Sequence, residues 1–163
     1  MNASLHSDGL LGLPHDRHSA TVPVDPVTEP HVAIEMTANY VQLAPDGSSQ
    51  VLRVRRGPHP NLPGFVVGAP TLTRDAPHGG ELHPDGDELL LILSGRVQVI
   101  LSEGEDDEES VEVRGGQSFI VPRGMWHRVR VLEPASIVHI TPGPKSRHRR
   151  SVQATHRMER HRQ

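Results

Sequence analysis

Two stretches of the 163-residue chain decide how it folds: GGELHPDGDELLLILSG, residues 79–95, and GGQSFIVPRGMWH, residues 115–127. The first contains ELLLIL, Glu88–Leu93, an apolar run that stops at Ser94-Gly95. RVQVIL, Arg96–Leu101, follows with polar and apolar residues in alternation. A side-chain period of two sends successive residues to opposite faces, so these segments read as a buried strand followed by a half-buried one. Ser118–Val121 (SFIV) reads as another strand, and Pro122-Arg123-Gly124 as the turn that delivers His127.

The same pattern extends outward. Tyr40–Leu43 and Val51–Val54 flank a Pro-Asp-Gly turn signal, and Phe65–Val67 and Thr71–Thr73 follow the loop RGPHPNLPG. Val111–Val113, His127–Leu132 and Ala135–Thr141 complete the predicted strands. The acidic stretch SEGEDDEES, 102–110, reads as a solvated hairpin tip, since it lacks the ligand pattern of a calcium loop. Short strands separated by Gly and Pro, 15 of each, predict an all-β sandwich or barrel with no core helix.

Composition narrows the chemistry. With no cysteine, a disulfide scaffold, a zinc ribbon, a thiol nucleophile and an iron–sulfur cluster are excluded. No apolar run approaches the length of a membrane helix, and MNASLHSDGL has neither a basic n-region nor an apolar h-region, so a cytoplasmic protein with no membrane partner is expected. The net charge of −3 hides a basic end, in which Lys145–Gln163 holds seven Lys/Arg against the single Glu159. That end has no aromatics to stack on bases and no DNA-binding motif, so nucleic acid is not expected as a partner. The predicted organisation is a flexible arm over 1–30, a barrel over 31–143 and a disordered basic tail over 144–163.

The chemistry-bearing residues sit in the two opening stretches. Glu81 and His83 are two residues apart and share a strand face. So do Glu88, Leu90 and Ile92, and so do His127, Val129 and Val131. If these faces line one interior, two imidazoles and two carboxylates meet in an apolar barrel, which is costly unless a cation or a hydrogen-bond network satisfies them. Imidazole and carboxylate donors suit Fe(II), Mn(II), Ni(II) or Zn(II), and two carboxylates favour Fe(II) or Mn(II). Other readings stay open: Glu81 as an exposed rim residue or as a general base beside the metal, and the whole group as a metal-free pocket. Asp87 is the rival of Glu88, but strand parity places it on the other face. His139 is a candidate to line the cavity, either as an acid–base group or as a partner behind a metal ligand, and Phe119, Leu90 and Val129 are the expected walls of a substrate pocket. His78 is a candidate to approach the site from a loop, and Trp126, on the face opposite His127, reads as packing.

The spacings His83, four residues, Glu88, six residues, Gly95, and Gly116, five residues, Pro122-x-Gly124, two residues, His127, resemble the two motifs of the cupin superfamily. The resemblance departs at three positions. Glu81 stands where the first histidine of a His-x-His pair is expected, Asp75 where a glycine is, and Val131 where the closing asparagine is. It implies a double-stranded β-helix, or jelly-roll barrel, with a divalent metal on His83, Glu88, His127 and, as a replacement in kind, Glu81. It also implies a metal-dependent enzyme, oxygenase- or isomerase-like, acting on a small polar molecule. The alternative is a non-catalytic ligand-binding or sensor protein. A homodimer is the expected assembly.

Overall fold

The structure, a computed structural model, describes residues 33–54, 62–103 and 107–150. The predicted arm over 1–30 and the end of the tail beyond Arg150 lie outside the described residues. Ten strands follow in order: β1 (Asn39–Leu43), β2 (Ser49–Arg53), β3 (Gly64–Gly68), β4 (Thr71–Leu72), β5 (His78–Leu82), β6 (Glu88–Ser102), β7 (Glu108–Arg114), β8 (Ser118–Val121), β9 (Trp126–Gly143) and β10 (Arg147–Arg150). Among the described residues there is no helix.

All pairings are antiparallel and form one curled sheet, with β10-β5-β9-β3-β1-β2 as its path and β6, β7, β8 and β4 joined to it through β9 and β6. The two long strands make the curl. Along its first half β6 lies between β8 and the end of β9, and along its second half between β7 and the start of β9. This is an all-β jelly-roll barrel. Its interior is a cluster of Leu90, Ile92, Val97, Val99, Val113, Val121, Ala135 and Ile137, at most 5 % exposed. These are the inward residues of the alternating pattern.

Four sequence expectations are corrected. Ser94-Gly95 does not end a strand: Glu88–Leu93 and Arg96–Leu101 are halves of β6, with an irregular register between them. Gly95 has φ +78°, and a Cβ there would collide with the Pro134 carbonyl oxygen, so the glycine bends the strand against β9 rather than reversing it. His127–Leu132 and Ala135–Thr141 likewise merge into β9. The basic tail was expected to be disordered from 144 onward, yet Arg147–Arg150 form β10 against β5. Pairing with β5 satisfies backbone groups of an edge that would otherwise be open. The acidic tip is also shorter than expected, since β7 already begins at Glu108.

Candidate metal centre

The two opening stretches are tied to each other by their backbones. The Gly124 N–H donates to the His83 carbonyl oxygen at 2.9 Å, and the Arg123 N–H donates to Asp87 Oδ1 at 2.8 Å. Asp87 is therefore an exposed brace for the Pro122-Arg123-Gly124 turn, and Glu88 alone points inward. Two positions that depart from the cupin pattern also bond to each other, the Val131 N–H donating to Asp75 Oδ1 at 2.7 Å.

At this end of the barrel Glu81, His83, Glu88 and His127 converge, each with a donor atom within 4.8 Å of the others. His127 Nε2 lies 2.9 Å from Glu88 Oε2 and 3.7 Å from Glu81 Oε1. His83 Nε2 lies 3.5 Å from Glu88 Oε2 and 4.0 Å from Glu81 Oε2. The strand register explains the meeting, because Glu81 on β5 is opposite His127 on β9. Both histidines have their other nitrogen engaged. His83 Nδ1 is 2.9 Å from Ser146 Oγ, and His127 Nδ1 is 3.4 Å from the Met125 carbonyl oxygen. Such partners fix the ring so that Nε2 faces the cluster.

Three buried atoms of this cluster have no hydrogen-bond partner: His83 Nε2, His127 Nε2 and Glu88 Oε2. They are close together but not aligned for hydrogen bonds. Buried polar atoms left in this state are costly, and a cation is the kind of group that satisfies nitrogen lone pairs and a carboxylate at once. The residues present therefore fit a divalent metal.

The electrostatics agree. Burial opposes ionisation of Glu88, but contacts with His127 and His83 outweigh it and hold the carboxyl at about 2. Burial likewise opposes charge on Glu81, and His127 and His148 hold it well below the ordinary carboxylate range. Burial disfavours the His127 imidazolium, yet Glu81 and Glu88 raise it to about 10. The metal-free site thus pairs two carboxylates with a proton on His127, in the place where a cation would provide the same compensation.

A chain of hydrogen bonds supports Glu88 from behind. The buried Thr141 hydroxyl donates to Glu88 Oε1, and His139 Nδ1 lies 2.8 Å from the same hydroxyl oxygen. A threonine has one hydroxyl proton, so His139 must carry its proton on Nδ1 and donate. His139 reaches the cluster through Thr141, and its ring meets Tyr40 edge-on at 6.0 Å. Burial, and then the Glu81 charge, push the Tyr40 phenol up.

Leu90, Phe119 and Val129 were expected as pocket walls. The structure places Leu90 in the hydrophobic core, with Phe119 and Val129 packed against it. Leu90 and Phe119 are register partners on adjacent strands and fill the interior, so they are the apolar floor beneath the cluster. Trp126 does point away from His127, and the Arg149 guanidinium lies 4.0 Å from its ring centroid.

The spacing of His148, His156 and His161 in the tail is not that of a metal cage, yet His148 Nε2 is 3.4 Å from Glu81 Oε2, and Thr141 and Ser146 carried no signal in the sequence. His78 lies at the start of β5 rather than in a loop. In β10 the arginines at 147 and 149 alternate with His148, a strand period that charge alone concealed.

The profile of the family described as cupin domain matches residues 72–141. Among solved structures, oxalate decarboxylase from Bacillus subtilis is 18 % identical with a TM-score of 0.45, over 53 % of this chain and 24 % of that one. A protein from Neisseria meningitidis is 25 % identical with a TM-score of 0.40, over 56 % and 89 %. Hydroquinone 1,2-dioxygenase, in complex with Cd2+ and 4-hydroxybenzonitrile, is 18 % identical with a TM-score of 0.39, over 48 % and 58 %. The chain spans about a quarter of the oxalate decarboxylase's length, 24 %. No curated protein matches it. These structural scores are low, and the chemistry of the site rests on its own residues. Residues 72–141, with their barrel and both motifs, are a cupin domain.

Proposed function

We propose that this domain binds one divalent metal ion through His83, Glu88 and His127, with Glu81 as a further oxygen donor, and that it is an enzyme acting on a small polar molecule. The observation that carries the reading is the convergence of three buried, unpartnered atoms, His83 Nε2, His127 Nε2 and Glu88 Oε2. A divalent ion supplies Lewis-acid polarisation of a bound oxygen donor, and iron also supports oxidation by O₂. Fe(II) or Mn(II) is the proposed ion, with Zn(II) or Ni(II) as competitors.

The chain's own residues divide the remaining work. Ser146 and the Met125 carbonyl orient the two imidazoles, and Thr141 orients Glu88. Glu81 is the more open carboxylate, its side chain 18 % exposed against 4 % for Glu88. It stands at the mouth, ionised, where it can accept a substrate proton if it is not itself bound to the ion. His139 acts through Thr141 as a positioning residue.

Metal content of untagged protein tests the binding step. One tightly held equivalent that disappears in a His83→Ala/His127→Ala double variant supports it. Wild-type protein that retains no metal after incubation and desalting overturns it. Turnover or O₂ uptake over a panel of small acids separates the enzyme from a ligand-binding or sensor protein, which would bind one of them without consuming it.

A homodimer belongs to the same proposal. On the outer face, Ile120, Leu89, Ile140, Val67, Val41 and Val51 align across six neighbouring strands. This uncharged row, with Ile120 60 % exposed, suits an isologous contact with a second copy. A monomeric hydrodynamic size at micromolar concentration refutes it. Among the described residues no helix is long and apolar enough to cross a membrane. A cytoplasmic location is proposed, with fractionation of expressing cells as its check.

A further inference from the structure

A second group of donors adjoins the first. Glu81 is opposite His127 on one side and His148 on the other, so β10, β5 and β9 place a His–Glu–His row across three strands. The carboxylate faces both ways: Oε1 lies 3.7 Å from His127 Nε2, and Oε2 lies 3.4 Å from His148 Nε2. His78, at the start of β5, completes the second side. Its ring meets that of His148 edge-on, with centroids 5.2 Å apart. The donor atoms of His78, Glu81 and His148 lie within 4.8 Å of one another. His78 Nδ1 is buried and has no hydrogen-bond partner.

We propose a second divalent-cation site, formed by His78 and His148 and joined to the first by Glu81 as a bridging carboxylate. It rests on the proposed metal function through the shared Glu81. Metal bonds of about 2.1 Å put neighbouring donor atoms about 3.4 Å apart around a tetrahedral ion and about 3.0 Å apart around an octahedral one. The 3.4 Å between His148 Nε2 and Glu81 Oε2 matches the tetrahedral spacing. Two imidazoles and one carboxylate form a three-ligand set of the kind that leaves a position open in zinc sites, so Zn(II) is the favoured occupant.

Charge sets the order of filling. Glu88 contributes only to the first ion, and Glu81 is shared, so the second site is the weaker. His148 is on an outer strand with its side chain 26 % exposed, which gives a cation a route from solvent.

The test is equilibrium dialysis of the full-length untagged chain against zinc, with bound metal counted per chain. His78→Ala/His148→Ala is expected to bind one equivalent fewer than wild type, the missing one being the weaker. His148→Gln alone is expected to show the same loss, which guards against misfolding of the double variant. His83→Ala/His127→Ala tests the first site separately by losing the tighter equivalent. Equal stoichiometry and affinities for wild type, His78→Ala/His148→Ala and His148→Gln overturn the second site and leave the first intact. No zinc bound by the wild type overturns both.

Discussion

Replacing Thr141 with valine keeps the side chain's branched shape but removes its hydroxyl. Thr141 is 3 % exposed and stands between Glu88 and His139, which are 3 % and 6 % exposed. Its hydroxyl gives Glu88 Oε1 a hydrogen bond and accepts one from His139. A hydrogen bond to a charged group contributes about 1.5–3 kcal/mol and one between neutral groups about 0.5–1.5 kcal/mol. The metal-free T141V protein should therefore lose about 2–4 kcal/mol. At about 4 °C per kcal/mol for a domain of this size, its melting temperature should fall by about 8–16 °C. Partners behind metal ligands typically govern affinity by about 10–100-fold, and Glu88 loses its partner here. Competition with a chelator of known affinity measures that change, and thermal melts measure the stability. T141S restores the hydroxyl and should recover most of both losses. A T141V protein that melts and binds metal like the wild type would show that the Thr141 hydroxyl does not hold Glu88 in place.

Other consequences follow from the same structure. Ile92 is 1 % exposed in the centre of the core, so Ile92→Ala should cost about 2–4 kcal/mol in urea unfolding, and a cost below about 1 kcal/mol would contradict the packing described. A Cβ at Gly68 would collide with the His139 imidazole, so Gly68→Ala should displace His139, and a His139 NMR signal unchanged by it argues against that contact. The metal-free protein should be most stable between pH 4.5 and 6.5. His127, raised from 6.5 to about 10, stabilises fully below pH 6.5 and loses that contribution as pH rises through about 10. Glu88, lowered from 4.5 to about 2, stabilises above pH 4.5 and loses its contribution as pH falls through about 2. Melting temperatures that keep rising from pH 6.5 to 10 would reverse the sign for His127.

Much of this was legible in the sequence, because strand alternation is a strong local signal. Glu88, Leu90 and Ile92, or His127 and Val129, declare their common face without any knowledge of the fold. That these faces meet was what the resemblance to the two cupin motifs implied. Strand ends were less legible. Gly95 has the same one-letter signature whether it reverses the chain or bends β6 against Pro134, and only the neighbouring strand decides. His148 was hidden for a related reason. An arginine-rich segment reads as solvated, and its pairing with β5 is a long-range choice that no local pattern encodes. Thr141 and Ser146 are ordinary residues whose role comes from what lies across the barrel. Leu90, Phe119 and Val129 show how far alternation reaches: it puts them on inward faces, where they pack in or against the core, and it does not say which of them a bound molecule would touch.

Whether an ion sits among these four side chains can be seen directly in diffraction data collected across the absorption edge of the metal in crystals of the full chain. We expect an anomalous peak bonded to His83 Nε2, His127 Nε2 and Glu88 Oε2. Metal-soaked crystals with no peak at that point, or with the two imidazoles turned away from each other, would contradict the assignment.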